Sequence, residues 1–291
     1  MNGVGEGAAR PLAASSSQRV LIGLALGPGV PQIIDHNPGL IDYVELPFEL
    51  LRHDPAAIKA EALAPIVLHC ASMSIAGFVP PSDDTLGAIA TLAERTNTPW
   101  IGEHLAFMSA DPLRQGAALH EPTTLTYTVC PQLSEEVLQH ACNNITQLQA
   151  RFAVPLIIEN SPHYFEIPGS TMSIVDFTIE VHRRCKVGML LDLTHFLISA
   201  RNMGFDPNRE VRRLPLENLV EMHVSGMDVQ SGTAWDDHAG LADESTFELM
   251  RTVLQRARPR AITFEYNWAP DLADAAIVGQ IERTKAMCLN A

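Results

Sequence analysis

The chain has 291 residues, 46% of them hydrophobic, and a formal net charge of -14. That length can bury a large core, as one α/β domain or two small ones, and the acidic balance argues against nucleic acid as the main partner. No apolar stretch approaches a membrane span, so no membrane partner is expected; the five cysteines (Cys70, Cys130, Cys142, Cys185, Cys288) are scattered without a CxxC pair, which points to a reducing cytoplasm rather than a disulfide framework or a thiolate zinc site.

Residues 1–18 are rich in Ala, Gly and Ser, with neither an apolar signal core nor an Arg-rich amphipathic pattern. They are expected to form a flexible tail ahead of a single domain spanning 19–291. From there, short apolar runs recur: VLIGLAL (20–26), IDYVELP (41–47), PIVLHCAS (65–72), WIGEHLAF (100–107), PLIIEN (155–160), VGMLLDL (187–193), LVEMHVSG (219–226) and AITFEYN (261–267). Near-continuous apolar runs of this length fit buried parallel strands. Between them lie amphipathic stretches. SEEVLQHACNNITQLQARF opens with Ser134 as a predicted cap, has Glu135 and Glu136 in its first turn, and sets Val137, Leu138, Ala141, Ile145, Leu148 and Phe152 at helical spacing. STFELMRTVLQRAR (245–258) does the same later. Strands alternating with helices predict a (β/α)8 TIM barrel; a doubly wound open sheet is the main competitor, and strand count and single-domain length favour the barrel.

The strand runs end in residues that ligate metals: His69, then Glu103-His104, Glu159-Asn160, Asp192 with His195 just beyond, Glu221 and His223, and Glu265. In a barrel the C-terminal strand ends surround one mouth, so these residues would converge. Alternation along each strand sharpens the list. If His69 points inward, Cys70 points out. Only one of Glu103 and His104 can face in, and His104 is the better ligand. If His223 faces in, so does Glu221, one layer deeper. The AWDDHAG stretch adds Asp236 and His238. Glu159, Asp192 and Glu265 would crowd one mouth with like charges, and few Lys or Arg lie near, so cations are the natural remedy. Imidazoles and carboxylates without a thiolate suit iron, manganese or zinc, and so many ligands suit more than one ion.

Taken singly, each residue has a plainer reading. A strand-end acid can cap the next helix; for Asp192 this stands level with ligation, and Thr194 is an alternative cap. A lone strand histidine is more often a hydrogen-bonded core residue. It is the joint pattern that points to metal. His140 and His182 fall in helical patterns, and His36, His53 and His120 in loop-like stretches; all five are read as structural. His163, in ENSPHY, is open between substrate contact and a loop hydrogen bond. The basic HRRCK run reads as a solvated helix end.

In order, LHCASMSIAG, GEHLAF, LIIENSPHY, GMLLDLTHFLISARNMGFDP, EMHVSGMD…WDDHAG and ITFEYNW resemble the motif set of the multinuclear non-heme iron-dependent oxidative enzymes. That family includes the methanobactin-biosynthesis enzymes and relatives that modify cysteine or other residues of ribosomally made peptides (RiPP biosynthesis). The resemblance covers about residue 20 to residue 268 and implies a barrel of the xylose-isomerase type. It implies His69, His104, Glu159, Asp192, His223, Asp236, His238 and Glu265 as iron ligands, Glu159 as a bridge, and Asn160 beside them. Many members have D-x-x-N where this chain has DLTH, so His195 replaces an amide with a stronger ligand and favours a filled third position. The candidate metal set thus includes Asn160 and His195, and the candidate catalytic residues are Glu159, Asp192 and His195. Two further departures are Gly102, where a Ser is usual, and Asn267 in EYN, where an acid is expected and where substrate contact would change.

The resemblance further implies two or three iron ions in a mixed Fe(II)/Fe(III) state, dioxygen as oxidant, and a cysteine-containing precursor peptide as substrate. A smaller leader-binding partner protein, forming a heterodimer, is expected because nothing here looks like a leader-binding domain. No organic cofactor is needed, in keeping with the lack of a GxGxxG or P-loop signature. Two other readings stay open. One is a metal-dependent hydrolase or sugar isomerase on the same barrel, though an isomerase would want a lysine near the mouth, and Lys59 and Lys186 are badly placed. The other is a non-catalytic metal-binding scaffold.

Overall fold

A computed structural model describes residues 19–110, 123–268 and 272–290; the expected tail (1–18) and His120 lie outside the described residues. Eight parallel strands close into a barrel: β1 (Leu21–Ala25), β2 (Tyr43–Pro47), β3 (Ile66–Cys70), β4 (Ile101–His104), β5 (Leu156–Glu159), β6 (Gly188–Asp192), β7 (Leu219–Val224) and β8 (Ala261–Phe264). Each strand pairs with its neighbours in chain order, and β1 closes on β8 with Leu21 opposite Ala261. The predicted (β/α)8 barrel is therefore the fold, and every strand lies within its predicted apolar run.

The strands are apolar on both faces because each face meets a different core. Outward residues such as Val44, Leu68, Ile158, Leu191 and Met222 join the large cluster beneath the helices. Inward residues Tyr43, Val67, Trp100, Ile157, Leu190 and Ala261 form a separate plug. Space for that plug depends on Gly23, where a Cβ would come within 2.2 Å of the Tyr43 ring.

The helix predicted from SEEVLQ spans Glu135–Arg151, with the Ser134 side chain accepting from the Val137 N–H. The later one spans Glu244–Leu254; it is capped by Asp243, two residues before the predicted start, and stops short of Arg258. The HRRCK run ends the helix Ile174–Cys185, where Arg183 and Arg184 pair with Glu180. Lys186 follows in the left-handed conformation, at the far end of β6 from the mouth. His36 and His53 end short helices (Val30–His36 and Leu50–His53) rather than lying in loops. Two hairpins were not foreseen. The run 100–107 divides: β4 stops at His104, and Phe107–Ala110 pairs antiparallel with Thr123–Val129. After β7, Asp228–Gln230 pairs with Thr233–Trp235. No helix among the described residues is long and apolar enough to cross a membrane.

His182 is core, as its helical position suggested. It is buried, its Nδ1 lies 3.1 Å from the Val187 carbonyl oxygen, and burial pushes its pKa down to about 4. The unfolded chain binds this proton from about pH 6.5 downward and the folded chain only from about 4. Folding stability is therefore full above about pH 6.5, falls by about 3 kcal/mol between there and pH 4, and is flat below, as far as this group is concerned. In urea melts from pH 7.5 to 4, His182→Asn is expected to be the less stable protein at neutral pH, with the gap to the unaltered protein closing on acidification. A gap independent of pH would refute this.

Candidate metal centre at the barrel mouth

Alternation places the site. On five strands the inward residue two positions beyond one in the lower layer lies at the mouth. Tyr43 is followed by Glu45, Val67 by His69, Ile157 by Glu159, Leu190 by Asp192, and Glu221 by His223. On β4 the inward series is Trp100, Gly102, His104. A Cβ at Gly102 would come within 2.6 Å of the His69 ring, so the glycine that departs from the motif makes room for a neighbouring imidazole. Glu103 faces out, accepting from the backbone N–H groups of Met73 and His104. Cys70 is buried in the outer core, as expected.

Glu159, fully buried, is the hub. Its Oε2 lies 2.8 Å from His69 Nε2 and 3.3 Å from His104 Nε2. Its Oε1 lies 3.2 Å from His195 Nδ1 and 3.7 Å from His223 Nδ1. His223 Nδ1 is also 3.0 Å from Glu265 Oε2. On the far side, Asp236 Oδ2 is 2.9 Å from His195 Nε2 and Asp236 Oδ1 is 2.8 Å from His238 Nε2. Potential ligand atoms converge in overlapping groups: His69, His104, Glu159; Glu159, Asp192, His223, Glu265; Asp192, His195, His238; and Glu45, Glu221, His223.

Asp192, read as either cap or ligand, is placed for both. Its Oδ1 accepts from the His195 N–H at 2.6 Å and caps the helix Leu193–Met203. Its Oδ2 is buried without a hydrogen bond, and the residue belongs to two of the converging groups. Thr194 is not the cap; its hydroxyl donates to the Ser225 carbonyl.

Asn160, a candidate ligand, also has a structural role. Its Nδ2 donates to the Asp192 carbonyl (3.0 Å) and its Oδ1 accepts from the Asp192 N–H (2.9 Å), so the amide clasps β5 to β6. Asn267 is likewise used for support. Its backbone N–H donates to the His238 carbonyl and its side-chain N–H to the Asp237 carbonyl. It thereby holds the loop in which His238 takes a left-handed φ of 51°, a conformation that persists only where surroundings impose it. His163 Nδ1 lies 3.3 Å from the Ser161 carbonyl oxygen, the loop contact that was one of its two readings. His140 contacts the Gly77 carbonyl oxygen from its helix.

Glu45 was missed. Its Oε2 lies 3.0 Å from His223 Nε2, on the opposite ring edge from the hub. The available signal was its place two residues beyond Tyr43, the same step that separates Val67 from His69. Below it, Glu221 receives Trp100 Nε1–H on Oε2 (2.7 Å) and the Thr263 and Tyr43 hydroxyls on Oε1 (2.6 and 3.0 Å).

Burial and mutual charge set the protonation. Burial opposes charge on His69, but the Glu159 hydrogen bond and the Glu45 carboxylate lift it to about 10. Burial is likewise overcome at His223 by Glu265 and Glu45, and at His195 by Asp192 and Asp236; both stand well above the ordinary value. Burial would raise Glu159, but the surrounding imidazoles of His104, His195 and His69 hold it well below the usual range. Burial keeps Asp192 up at about 6 and Glu45 at about 7. The carboxylates thus demand positive charge, which protons on the imidazoles supply. Yet Glu159 Oε1, Asp192 Oδ2, His223 Nδ1, Asp236 Oδ1 and His238 Nε2 are buried with no hydrogen bond. Buried polar atoms of this kind normally have partners, and nitrogen and carboxylate atoms aimed at common points fit first-row metal ions.

Solved structures of similar fold include a D-tagatose 3-epimerase-like protein (TM-score 0.57, 13% identity, covering 93% of this chain and 98% of that one). Endonuclease IV from Thermus thermophilus is similar too (TM-score 0.56, 16% identity, 93% and 100%). A third is a xylose isomerase-like TIM barrel protein from Mycobacterium smegmatis (TM-score 0.54, 12% identity, 94% and 97%). The class is therefore the xylose-isomerase-like TIM barrel. Within it, the family described as RiPP precursor modification enzyme MbnB/TglH/ChrH matches residues 22–286, and the chain belongs to that family. Similar relatives are UPF0276 proteins. That of Anaeromyxobacter sp. (strain Fw109-5) is 31% identical over 68% of this chain and 66% of its own length. That of Streptomyces avermitilis is 27% identical over 84% and 50%, and one from Caulobacter vibrioides 28% identical over 81% and 81%. The matched region thus spans half to about two thirds of the first two relatives.

Proposed function

We propose that the protein is a cytoplasmic, multinuclear non-heme iron enzyme that uses dioxygen to modify cysteine oxidatively in a ribosomally synthesised precursor peptide, assisted by a smaller leader-binding partner. The observation that carries this reading is the set of overlapping ligand groups that share Glu159, Asp192 and His223. Shared carboxylates are what a centre of two or three adjacent ions requires. His69, His104 and Glu159 would hold one ion; Asp192, His223 and Glu265, with Glu159, a second; His195, Asp236 and His238, with Asp192, a third. Bound iron, in a mixed Fe(II)/Fe(III) state, would supply the redox chemistry toward dioxygen that side chains lack.

The chain's own part is positional. Glu45 accepts from His223 Nε2–H, which presents Nδ1 to the mouth, a buttress of the kind that orients ligating imidazoles. Asn160 fixes Asp192, and Asn267 fixes the His238 loop. Lys186 lies at the opposite end of its strand, and Lys59 lines a cavity with Leu26, Asn267 and Trp268 that includes none of the converging ligands. That weakens an isomerase reading, and the epimerase and nuclease likenesses speak for the fold alone.

Protein purified without oxygen is expected to carry two or more irons per chain by elemental analysis. It is also expected to consume dioxygen when given a cysteine-containing precursor peptide. Stoichiometric zinc or manganese with no iron, even after iron-rich expression, would transfer the site to the hydrolase or isomerase class.

A further inference from the structure

Two cavities meet beside the metal centre. One, of about 590 Å³, is lined by Tyr127, Tyr164, Trp235 and Asp236; the other, of about 630 Å³, by Phe78 and Phe107; they share Val129, Cys130, Phe165 and Ile167. Together they form a two-lobed groove. Its inner end is the centre itself, because the Asp236 carboxylate that lines it lies 2.9 Å from His195 Nε2. Each lobe is in the size range that encloses a small organic group.

The walls are apolar and exposed. Phe78 (60%), Tyr127 (66%), Phe165 (67%) and Trp235 (42%) border this one groove, whereas the other exposed large hydrophobics among the described residues, Val229, Leu241 and Leu289, lie elsewhere. Exposed apolar side chains gathered in one band mark a binding surface. The walls are also braced: Tyr164 stacks on Trp235 with ring centroids 4.8 Å apart, and Phe78 on His140 at 4.3 Å. Cys130, at the junction, lies with Sγ 2.6 Å from the Pro162 carbonyl oxygen, and burial pushes its pKa up to about 12, so it is a neutral part of the floor. The end of the strand Thr123–Val129 lines the first lobe with Tyr127, Thr128 and Val129 and reaches the second at Val129; among the described residues this strand pairs only with Phe107–Ala110. Among the described residues no strand pairs with its other edge, and peptides add to sheets along such edges.

We infer that this groove seats the segment of the peptide substrate adjoining the modified residue, with an apolar or aromatic side chain in each lobe. The inference rests on the reading of the centre as peptide-modifying. A compact metabolite would need the mouth alone; a braced apolar trough leading away from it suits a chain.

The test is selection from a phage-displayed library of fully randomised nonapeptides on the full chain as purified with its metal, in parallel with the double variant Phe78→Asp, Phe165→Asp. Both phenylalanines are more than half exposed, so the variant is expected to fold and to keep the metal content of the unaltered protein. Selected peptides are expected to carry apolar or aromatic residues at two positions on one side of an enriched cysteine, and to bind the double variant at least tenfold more weakly. The same apolar preference, lost in the variant but without an enriched cysteine, would support the groove and count against the cysteine chemistry. Enriched cysteine with no apolar preference, or with one that persists in the variant, would overturn the groove and leave the chemistry standing. No enrichment on either protein would overturn both.

Discussion

Replacing Glu159 by Ala is expected to strip the centre of most of its metal and to lower activity by roughly a thousandfold or more, beyond the 10–100-fold typical of losing an outer support. Its two oxygens lie 2.8 to 3.7 Å from ring nitrogens of four different imidazoles, those of His69, His104, His195 and His223. No other residue of the site touches so many, and a carboxylate that bridges ions cannot be replaced by water without loosening each one. The substitution also leaves buried imidazolium charge without its counterion, a loss of about 3–5 kcal/mol in comparable buried pairs. Elemental analysis of the variant purified without oxygen, with circular dichroism to establish that it is folded, checks this. A folded Glu159→Ala protein with its full complement of iron would mean that the centre is organised elsewhere.

A large effect on stability is expected one layer down, at Glu221→Leu. Glu221 takes the Trp100 indole N–H on one oxygen and the Thr263 hydroxyl, with Tyr43 beside it, on the other, inside a plug with no access to water. Leucine is close in volume but accepts nothing. Each buried donor left unsatisfied costs about 1–3 kcal/mol, so a total loss of roughly 3–5 kcal/mol and a fall of order 10 °C in melting temperature are expected. Glu221→Gln should rescue only part of this, because its amide offers one acceptor oxygen and would set an NH2 against either the indole N–H or the hydroxyls. Thermal melts of both variants test it; a Leu variant that melts with the unaltered protein would show that the plug is held by its apolar contacts alone.

The barrel and most of the centre were legible because both follow from alternation. An apolar run broken by His, Asp or Glu near its end is a strand whose inward face turns polar at the mouth, and β3, β5, β6 and β7 all carry that signature. Glu45 carries it too, but YVELP shows one acid with no histidine, and its partner His223 is remote in sequence. For Asn160 the sequence offers only an amide beside a bridging acid; the pairing of β5 with β6 adds that the Asp192 backbone engages both of its ends. For Asp192 the sequence poses cap and ligand as alternatives, whereas a carboxylate has two oxygens. The hairpins escaped because their strands pair across a loop or a turn within connections that the barrel pattern treats as spacers. The groove escaped with them, since one of those strands forms its side.

The two-storey interior bears on how such a molecule can change over generations. On five of the strands a plug residue and a mouth residue are separated by one outward-facing neighbour, so inserting or deleting one residue within such a strand would exchange the two faces at once. A ligand would be driven under the helices and an apolar residue into the centre. Strand length is therefore frozen by the chemistry as firmly as by the packing. New substrates must be reached through the connections, which can lengthen at little thermodynamic cost, and the two hairpins that follow β4 and β7 are elaborations of just those connections.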